Sequence, residues 1–211
     1  SLKRDGVNRL CYAGHVLYTK PKSALASRNP MLAGVELFGD DSIEADIEVV
    51  SLLLSCLRES DLSALHIDLG HVGIFRALSA EAGLSENQER EIFDLLQVKA
   101  SADISRWIEA NITRDDLAEW FRVLPKLAGS ASILSDAKSA FAQAPDQVCK
   151  AADQLVVLAE TISERYPEAK LYFDLSALRG YHDHTRIVFA AFELLKFAFN
   201  AKLCCCPVPV P

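Results

Sequence analysis

The chain has 211 residues, half of them hydrophobic, which is enough for one domain with a substantial core or for one domain carrying an insertion. Its 29 acidic and 22 basic residues give a net charge of −7, and this balance argues against nucleic acid as a main partner, because such proteins usually present a basic face. The 6 cysteines form neither a CxxC pair nor a secreted disulfide pattern, so a reducing, cytoplasmic compartment is expected, and no apolar run reaches the roughly 18 residues of a membrane span.

Two strands are predicted near the start of the chain. Residues 9–19 and 31–39 are rich in aliphatic and aromatic residues and are separated by a loop that contains prolines. The second strand is predicted to pair back on the first. Because side chains alternate along a strand, Val35 and Leu37 should face one side and Glu36 the other.

A helix, a strand and a second helix are predicted next. Asp41 and Glu44 have the spacing of a capping box and predict a helix that ends near residue 58. Its apolar side is formed by Ile47, Val50, Leu54 and Leu57. Alternating apolar residues predict a half-buried strand over 65–69 that ends at Gly70, and residues 72–82 are typical of a helix.

Residues 85–166 carry helical periodicity almost throughout. Ser85 with Gln88, and Thr113 with Asp116, have capping-box spacing and predict two helix starts within this block. One long apolar stripe is formed by Val148, Ala152, Leu155, Ala159 and Ile162. The block is therefore predicted to be a bundle of helices set between strands.

The predicted organisation is an α/β chain of the α+β type. Residues 1–84 and 168–200 are expected to form a sheet core that is incomplete, and 85–167 a mostly helical insert. Residues 201–211 are expected to form an irregular tail, because their prolines cannot pair within a sheet. The returning strands are predicted at 170–178 and 185–192.

Glu36 and Arg179 are the two charged residues with a candidate binding role. A carboxylate between apolar neighbours in a strand either lies on a solvated face or accepts a ligand ammonium or imidazolium. An arginine after a strand either clamps a ligand carboxylate or forms a structural salt bridge. The residue pattern alone leaves both alternatives open at both positions.

The sequence predicts no metal site and no cofactor. His182 and His184 would share one face of a strand, but no third ligand has convincing spacing. The adjacent cysteines 204–206 cannot easily converge on one ion. Gly70 and the glycine three residues later lack the spacing of a dinucleotide fingerprint, and His71 is predicted to be a local hydrogen-bonding residue.

Four segments carry a resemblance to a known family. RLCYAGHVLYTKP (9–21), RNPMLAGVELFG (28–39), HIDLGHVGIFRAL (66–78) and LRGYHDHTRIVFAAF (178–192) resemble, in order and spacing, the regulatory subunits of ATP phosphoribosyltransferase. These are histidyl-tRNA-synthetase-like proteins of histidine biosynthesis. The resemblance implies a class II aminoacyl-tRNA synthetase-like antiparallel sheet with flanking helices and a helical insertion.

The resemblance also implies a function and a site. Members of this family are non-catalytic. They assemble with the short-form ATP phosphoribosyltransferase catalytic subunit and contribute to feedback by histidine. They are expected to form homo-oligomers within a larger hetero-oligomer, and no association with a membrane is expected. The acidic residue that recognises the amino acid corresponds to Glu36, and the arginine of the histidine-specific motif to Arg179. Tyr181 and His182 belong to the family's own form of that motif, and His184 lies where synthetases have a tyrosine.

The sequence departs from the family pattern both at positions that bind the nucleotide in synthetases and at positions expected to bind histidine. Synthetases carry Arg-x-Glu in their second motif, where this chain has Tyr-Thr-Lys at 18–20, which implies that the grip on the ATP phosphate is lost. Leu32 replaces a usual glutamine, Asn29 a glutamate, Asp183 an aromatic residue, and Arg186 a small residue. These changes imply weakened histidine binding, with Arg186 expected to narrow the pocket.

Two alternatives to a regulatory subunit stay open. The family's N-terminal strand is not seen ahead of residue 1, and its glycine-rich stretch is not seen after Phe192, so the chain is expected to be truncated at both ends. It is then either a regulatory subunit, a histidyl-tRNA synthetase catalytic-core fragment or paralogue, or an inactive copy that acts only as an interaction module.

Overall fold

A computed structural model of the chain describes residues 6–20, 27–60, 62, 65–177 and 186–193. The first part of the fold consists of β1 (Asn8–His15), β2 (Met31–Phe38), α1 (Ile43–Glu59), β3 (Leu65–His71) and α2 (Val72–Glu81). The helical part consists of α3 (Glu86–Gln97), α4 (Ser101–Asn111), α5 (Asp115–Val123), a short 3-10 helix (Leu124–Lys126), β4 (Ala128–Gly129), α6 (Ile133–Ala140) and α7 (Asp146–Arg165). The final strands are β5 (Lys170–Asp174) and β6 (Ile187–Glu193). The predicted tail at 201–211 lies outside the described residues.

The strands form two sheets. β1 and β2 pair as an antiparallel hairpin in which Asn8 lies opposite Phe38 and His15 opposite Met31. The second sheet has the order β4-β5-β3-β6, with β3 antiparallel to β6 but parallel to β5. The expected antiparallel arrangement therefore holds for every pair except β3–β5. A parallel pair requires a crossover of a dozen or more residues, and the long helical chain between β3 and β5 supplies it.

One continuous hydrophobic core joins the larger sheet to the helices. The four apolar positions predicted for α1 and the five predicted for α7 are all buried, which confirms both stripes. Leu65, Ile67 and Leu69 of β3 are almost completely buried in the same cluster. Because α3–α7 contribute to this cluster, they share apolar packing with the sheet, and the division into a sheet core and an insert stays a prediction. Within the described residues, no helix is long and apolar enough to span a membrane.

The start of α1 differs from the sequence expectation. Ser42, not Asp41, is the N-cap, and its hydroxyl accepts a hydrogen bond from the Ala45 backbone N–H at 3.3 Å. Asp40 accepts the backbone N–H of Ser42 at 2.9 Å. The Asp40 turn holds Ser42 at the end of the loop, where its hydroxyl can accept the N–H groups of the first helical turn, so Ser42 caps the helix.

One of the two capping boxes in the helical block is confirmed and the other is wrong. Ser85 and Gln88 form the reciprocal bonds of a capping box at the start of α3. Thr113 makes no cap, because α5 begins one residue later than predicted, after Arg114. The Arg114 guanidinium binds the carboxylates of Asp116 and Glu81, each at 2.6 Å. Asp116 is the residue whose carboxylate the predicted capping box required, and here it pairs with Arg114.

The strand ends also differ from expectation. β1 ends at His15 rather than at 19, and β3 continues through Gly70 to His71. An ideal Cβ at Gly70 would lie 2.9 Å from the Asp174 carbonyl oxygen and 3.0 Å from that of Ala177. The glycine therefore permits a close approach of the following turn and does not terminate the strand.

The two predicted caps can be compared by mutation. We expect Ser85→Ala to lower the free energy of unfolding by about 1 kcal/mol, because it removes a cap that is formed. Thr113→Ala, at an equally exposed position without a cap, should change it by less than about 0.5 kcal/mol. Urea unfolding of the two variants beside the unaltered chain measures both values, and equal losses would contradict the assignment.

Candidate functional site

The β1–β2 hairpin has two chemically different faces. Cys11, Ala33 and Val35 line a groove against α1. Because side chains alternate along a strand, Glu36 lies on the opposite face, next to its cross-strand neighbour Leu10. Val35 is among the residues that line the groove and Glu36 is not, which fits the predicted separation of the two side chains.

Glu36 is half-buried on this open face. Among the described residues, no hydrogen bond or ion pair to its carboxylate is seen. A partly desolvated carboxylate gains most from a cation that approaches it. Its position therefore suits an ammonium or imidazolium group supplied by a ligand.

Tyr12 and Gly34 lie two positions along the strands from Leu10 and Glu36, on the Glu36 side of the hairpin, and both also reach the groove against α1. Sequence reasoning missed both. They are cross-strand partners in the hairpin. An ideal Cβ at Gly34 would overlap the Tyr12 Cζ and hydroxyl oxygen, so only a glycine lets the tyrosine ring lie across β2. The tyrosine is half exposed. The hairpin register, once known, would have revealed this pair, because it aligns an aromatic residue with a glycine.

An apolar groove of about 480 Å³ lies between the hairpin and α1. Its lining residues are Cys11, Tyr12, Ala13, Ala33, Gly34, Val35, Val49, Leu52, Leu53, Cys56, Leu57 and Ser60. At one end, Arg9 of β1 makes two bonds to Glu48 of α1, at 2.5 and 2.7 Å. This pairing with Arg9 lowers the pKa of the exposed Glu48 carboxyl below its usual value.

The remaining predicted site residues lie outside the described part of the chain. These are Arg179, Tyr181, His182 and His184. The structure does describe both ends of the segment that holds them. Because β5 runs parallel to β3 and β6 begins opposite His71, Ala177 and Arg186 both lie at the carboxyl end of β3. The convergence of Glu36 with this segment stays a prediction. Among the described residues, no group of three or more His, Cys, Asp or Glu side chains could hold a metal ion.

Arg186 is largely buried and pairs with Asp46 in the first turns of α1. The Arg186 Nη2 lies 3.0 Å from the Asp46 Oδ2. Burial raises the pKa of Asp46 to about 6, and the positive charge of Arg186 only partly offsets that effect. The guanidinium therefore ties β6 to α1, and the expectation that it narrows a ligand pocket stays a prediction.

His71 is a buried neutral residue at the junction of β3 and α2. Its Nδ1 accepts the Gly73 backbone N–H at 3.1 Å, which leaves Nε2 to donate to the Gln154 side-chain oxygen at 3.0 Å. Burial, together with the nearby charge of Arg186, lowers the pKa of His71 to about 4 despite the glutamine bond. The prediction of a local hydrogen-bonding role is confirmed.

The His71 titration predicts a specific pH dependence. The pKa of His71 in the folded chain is about 4, below the ordinary value of 6.5. The contribution of neutral His71 to the free energy of unfolding is therefore fully present above pH 6.5 and is lost as the pH falls toward 4. Asp46 acts in the opposite sense, because its pKa is raised. The effect must therefore be measured against a variant.

His71→Asn keeps an N-cap acceptor and removes the titration. Between pH 7 and 4.5, we expect the unaltered chain to lose about 2 kcal/mol more unfolding free energy than this variant. Urea unfolding at the two pH values tests this. Equal losses in both proteins would contradict a neutral buried His71.

Comparison with solved structures places the fold. A structure from Bacillus halodurans described as an ATP phosphoribosyltransferase regulatory subunit/histidyl-tRNA synthetase has a TM-score of 0.74 at 22% identity, over 91% of this chain and 49% of that one. A chain of the ATP phosphoribosyl transferase (HisG:HisZ) complex from Thermotoga maritima has a TM-score of 0.66 at 15% identity, over 92% and 66%. Together with the observed sheets and helices, these similarities define a class II aminoacyl-tRNA synthetase-like fold.

Sequence comparison identifies the family. The family described as Histidyl-tRNA synthetase matches residues 1–196, and the chain belongs to that family. Two curated relatives, from Saccharophagus degradans and Teredinibacter turnerae, are 54% and 53% identical over 91% and 92% of this chain, and both are called ATP phosphoribosyltransferase regulatory subunit. The chain spans about half of their length, 49% in each case.

Proposed function

We propose that this chain acts as a non-catalytic regulatory subunit of ATP phosphoribosyltransferase in histidine biosynthesis. It binds the short-form catalytic subunit, within a hetero-oligomer in the cytoplasm, and it contributes to feedback by histidine. Residues 1–84 and 168–200 supply the ligand-binding core in this proposal. The free, exposed thiols of Cys11 and Cys56 fit a reducing compartment.

The identity to the named relatives is the observation that carries this proposal. More than half of the aligned residues are the same as in the regulatory subunits of Saccharophagus degradans and Teredinibacter turnerae. The structural similarity to a chain of the Thermotoga maritima complex adds support for a partner subunit. The proposal extends the relatives' named role to a chain that spans about half of their length.

The ligand part of the proposal rests on charge complementarity. Histidine carries an ammonium and an imidazole that suit the half-buried carboxylate of Glu36, and a carboxylate that suits the fork of Arg179. Tyr181, His182 and His184 complete the proposed site. The exposed ring of Tyr12 and the adjacent Gly34 shape the face beside Glu36.

The absence of catalysis is proposed from the stretch at 18–20. Tyr18 is held by its backbone, since its N–H donates to the Arg28 carbonyl oxygen at 2.8 Å and its own carbonyl oxygen accepts from the Arg28 Nε at 3.2 Å. The sequence Tyr-Thr-Lys supplies no guanidinium where the synthetase motif has one. Loss of such a contact leaves the charge on a reacting phosphate poorly offset, at a cost of several kcal/mol.

Reconstitution tests the proposal directly. The full chain is mixed with a short-form ATP phosphoribosyltransferase, and the rate is measured with and without histidine. We expect the chain to raise the rate and histidine to lower it. A rate that does not change on addition of the chain would overturn the proposal.

Histidyl-tRNA synthetase activity is the second candidate, favoured by the family match over residues 1–196. It requires formation of histidyl-adenylate, which exchange between ATP and pyrophosphate detects. Clear histidine-dependent exchange would establish it and would contradict the non-catalytic proposal. We expect none from this chain.

Substitution of Glu36 tests the ligand site. Glu36→Gln keeps the shape and removes the charge, so we expect the histidine concentration for half-inhibition in the reconstituted system to rise at least about tenfold. Glu119→Gln changes an exposed glutamate of α5 and serves as the matched control. It should leave the histidine concentration for half-inhibition unchanged.

The same assay separates regulation from mere interaction. If activation persists but neither Glu36→Gln nor Arg179→Ala alters the histidine response, the ligand pocket is irrelevant. The chain would then be an interaction module only.

A further inference from the structure

A turn of four residues, Asp174–Ala177, leads directly into the proposed ligand segment, and it is held from several sides. Asp174 closes the turn, because its Oδ1 accepts the Ser176 backbone N–H at 3.0 Å and the Ser176 hydroxyl at 2.7 Å. The Leu175 N–H donates to the Leu127 carbonyl oxygen at 3.0 Å. Ser176 is 1% exposed. The turn is therefore held in one conformation by its own hydrogen bonds and by its contact with Leu127.

The end of α3 supplies the outer contacts of this turn. The Gln97 side-chain amide donates to the Ser176 carbonyl oxygen at 3.3 Å. The Lys99 ammonium lies 2.7 Å from the Asp174 Oδ2, the oxygen that the turn itself leaves free. The helical part of the chain thus holds the turn through the ion pair between Lys99 and Asp174, the residue whose side chain closes the turn.

The backbone of Lys99 is unfavourable for a lysine. Within the described ranges it is the one non-glycine residue with a positive φ, at 51°. The Lys99 N–H bonds to the Leu96 carbonyl oxygen at 3.1 Å and the Ala100 N–H to that of Leu95 at 3.2 Å. This is the helix end at which glycine is strongly preferred, because a Cβ strains the left-handed conformation. A lysine at this point costs backbone energy, and among the described residues its side chain forms an ion pair with Asp174.

We infer that Lys99 is a positioning residue that sets the histidine sensitivity of the proposed site. It acts through Asp174 on the turn that ends at Ala177, two residues before Arg179 in the sequence. The α3–α4 junction is thereby coupled to the amino-acid site. The inference rests on the proposed function, since it assigns a control point to the same site.

Two substitutions separate positioning from stability. Lys99→Met removes the charge and keeps the strained backbone, whereas Lys99→Gly removes the charge and relieves the strain. In the reconstituted system we expect both to raise the histidine concentration for half-inhibition at least threefold. The glycine variant should keep or raise the thermal unfolding midpoint, which a merely structural role for the lysine would not predict.

Controls make the test specific. Lys99→Arg retains a cation and should restore a response within twofold of the unaltered chain. Lys138→Met breaks another ion pair of the helical part, with Asp153 at 2.8 Å, and should leave the histidine response unchanged. Amide exchange at Ser176 and Ala177 should accelerate in Lys99→Met but not in Lys138→Met.

The outcomes are distinguishable from failure of the proposed function. If the unaltered chain activates its partner and responds to histidine, and both Lys99 variants respond identically to it, the inference is overturned and the proposed function stands. If the unaltered chain gives no activation, the proposed function fails first, and the inference fails with it. Unchanged amide exchange at Ser176 in Lys99→Met would overturn the physical coupling by itself.

Discussion

The close approach of the 174–177 turn to Gly70 determines how this molecule is arranged around β3. Any side chain at residue 70 would collide with two carbonyl oxygens of the turn. Because the turn lies there, β5 reaches the carboxyl end of β3, and β6 begins on the other flank of the same strand end. The buried groups beside it, His71 with Gln154 and Arg186 with Asp46, then fix α2, α7 and α1 to this point. The segment that holds Arg179, Tyr181, His182 and His184 joins the described structure here at both of its ends, after Ala177 and before Arg186.

Much of the fold was predictable where one periodic signal decided it. The apolar sides of α1 and α7 and the cap at Ser85 depend on residues within a few positions of one another, so the sequence carries them directly. The start of α5 was not predictable, because Arg114 binds Glu81, which is 33 residues away. The parallel pairing of β3 with β5 likewise depends on the path of the intervening helices, and periodicity does not encode that path.

The candidate site shows the same division. The side of β2 on which Glu36 lies follows from strand alternation, and its proposed role in ligand binding came from resemblance to a family. The fit of the Tyr12 ring over Gly34 needed the hairpin register, and the bond from Lys99 to Asp174 joins residues that are far apart in the sequence. Such contacts are tertiary, and a single sequence gives no local signal for them.

The attachment of the hairpin has a thermodynamic consequence for any ligand that binds Glu36. The hairpin meets α1 across an apolar groove and through the exposed Arg9–Glu48 pair, and exposed pairs of this kind contribute little to stability. Where a ligand binds only while the hairpin is packed on α1, its apparent affinity equals the intrinsic affinity multiplied by the fraction of molecules in which the hairpin is packed. Loss of the Arg9–Glu48 pair would then weaken ligand binding although no contact with the ligand itself changes.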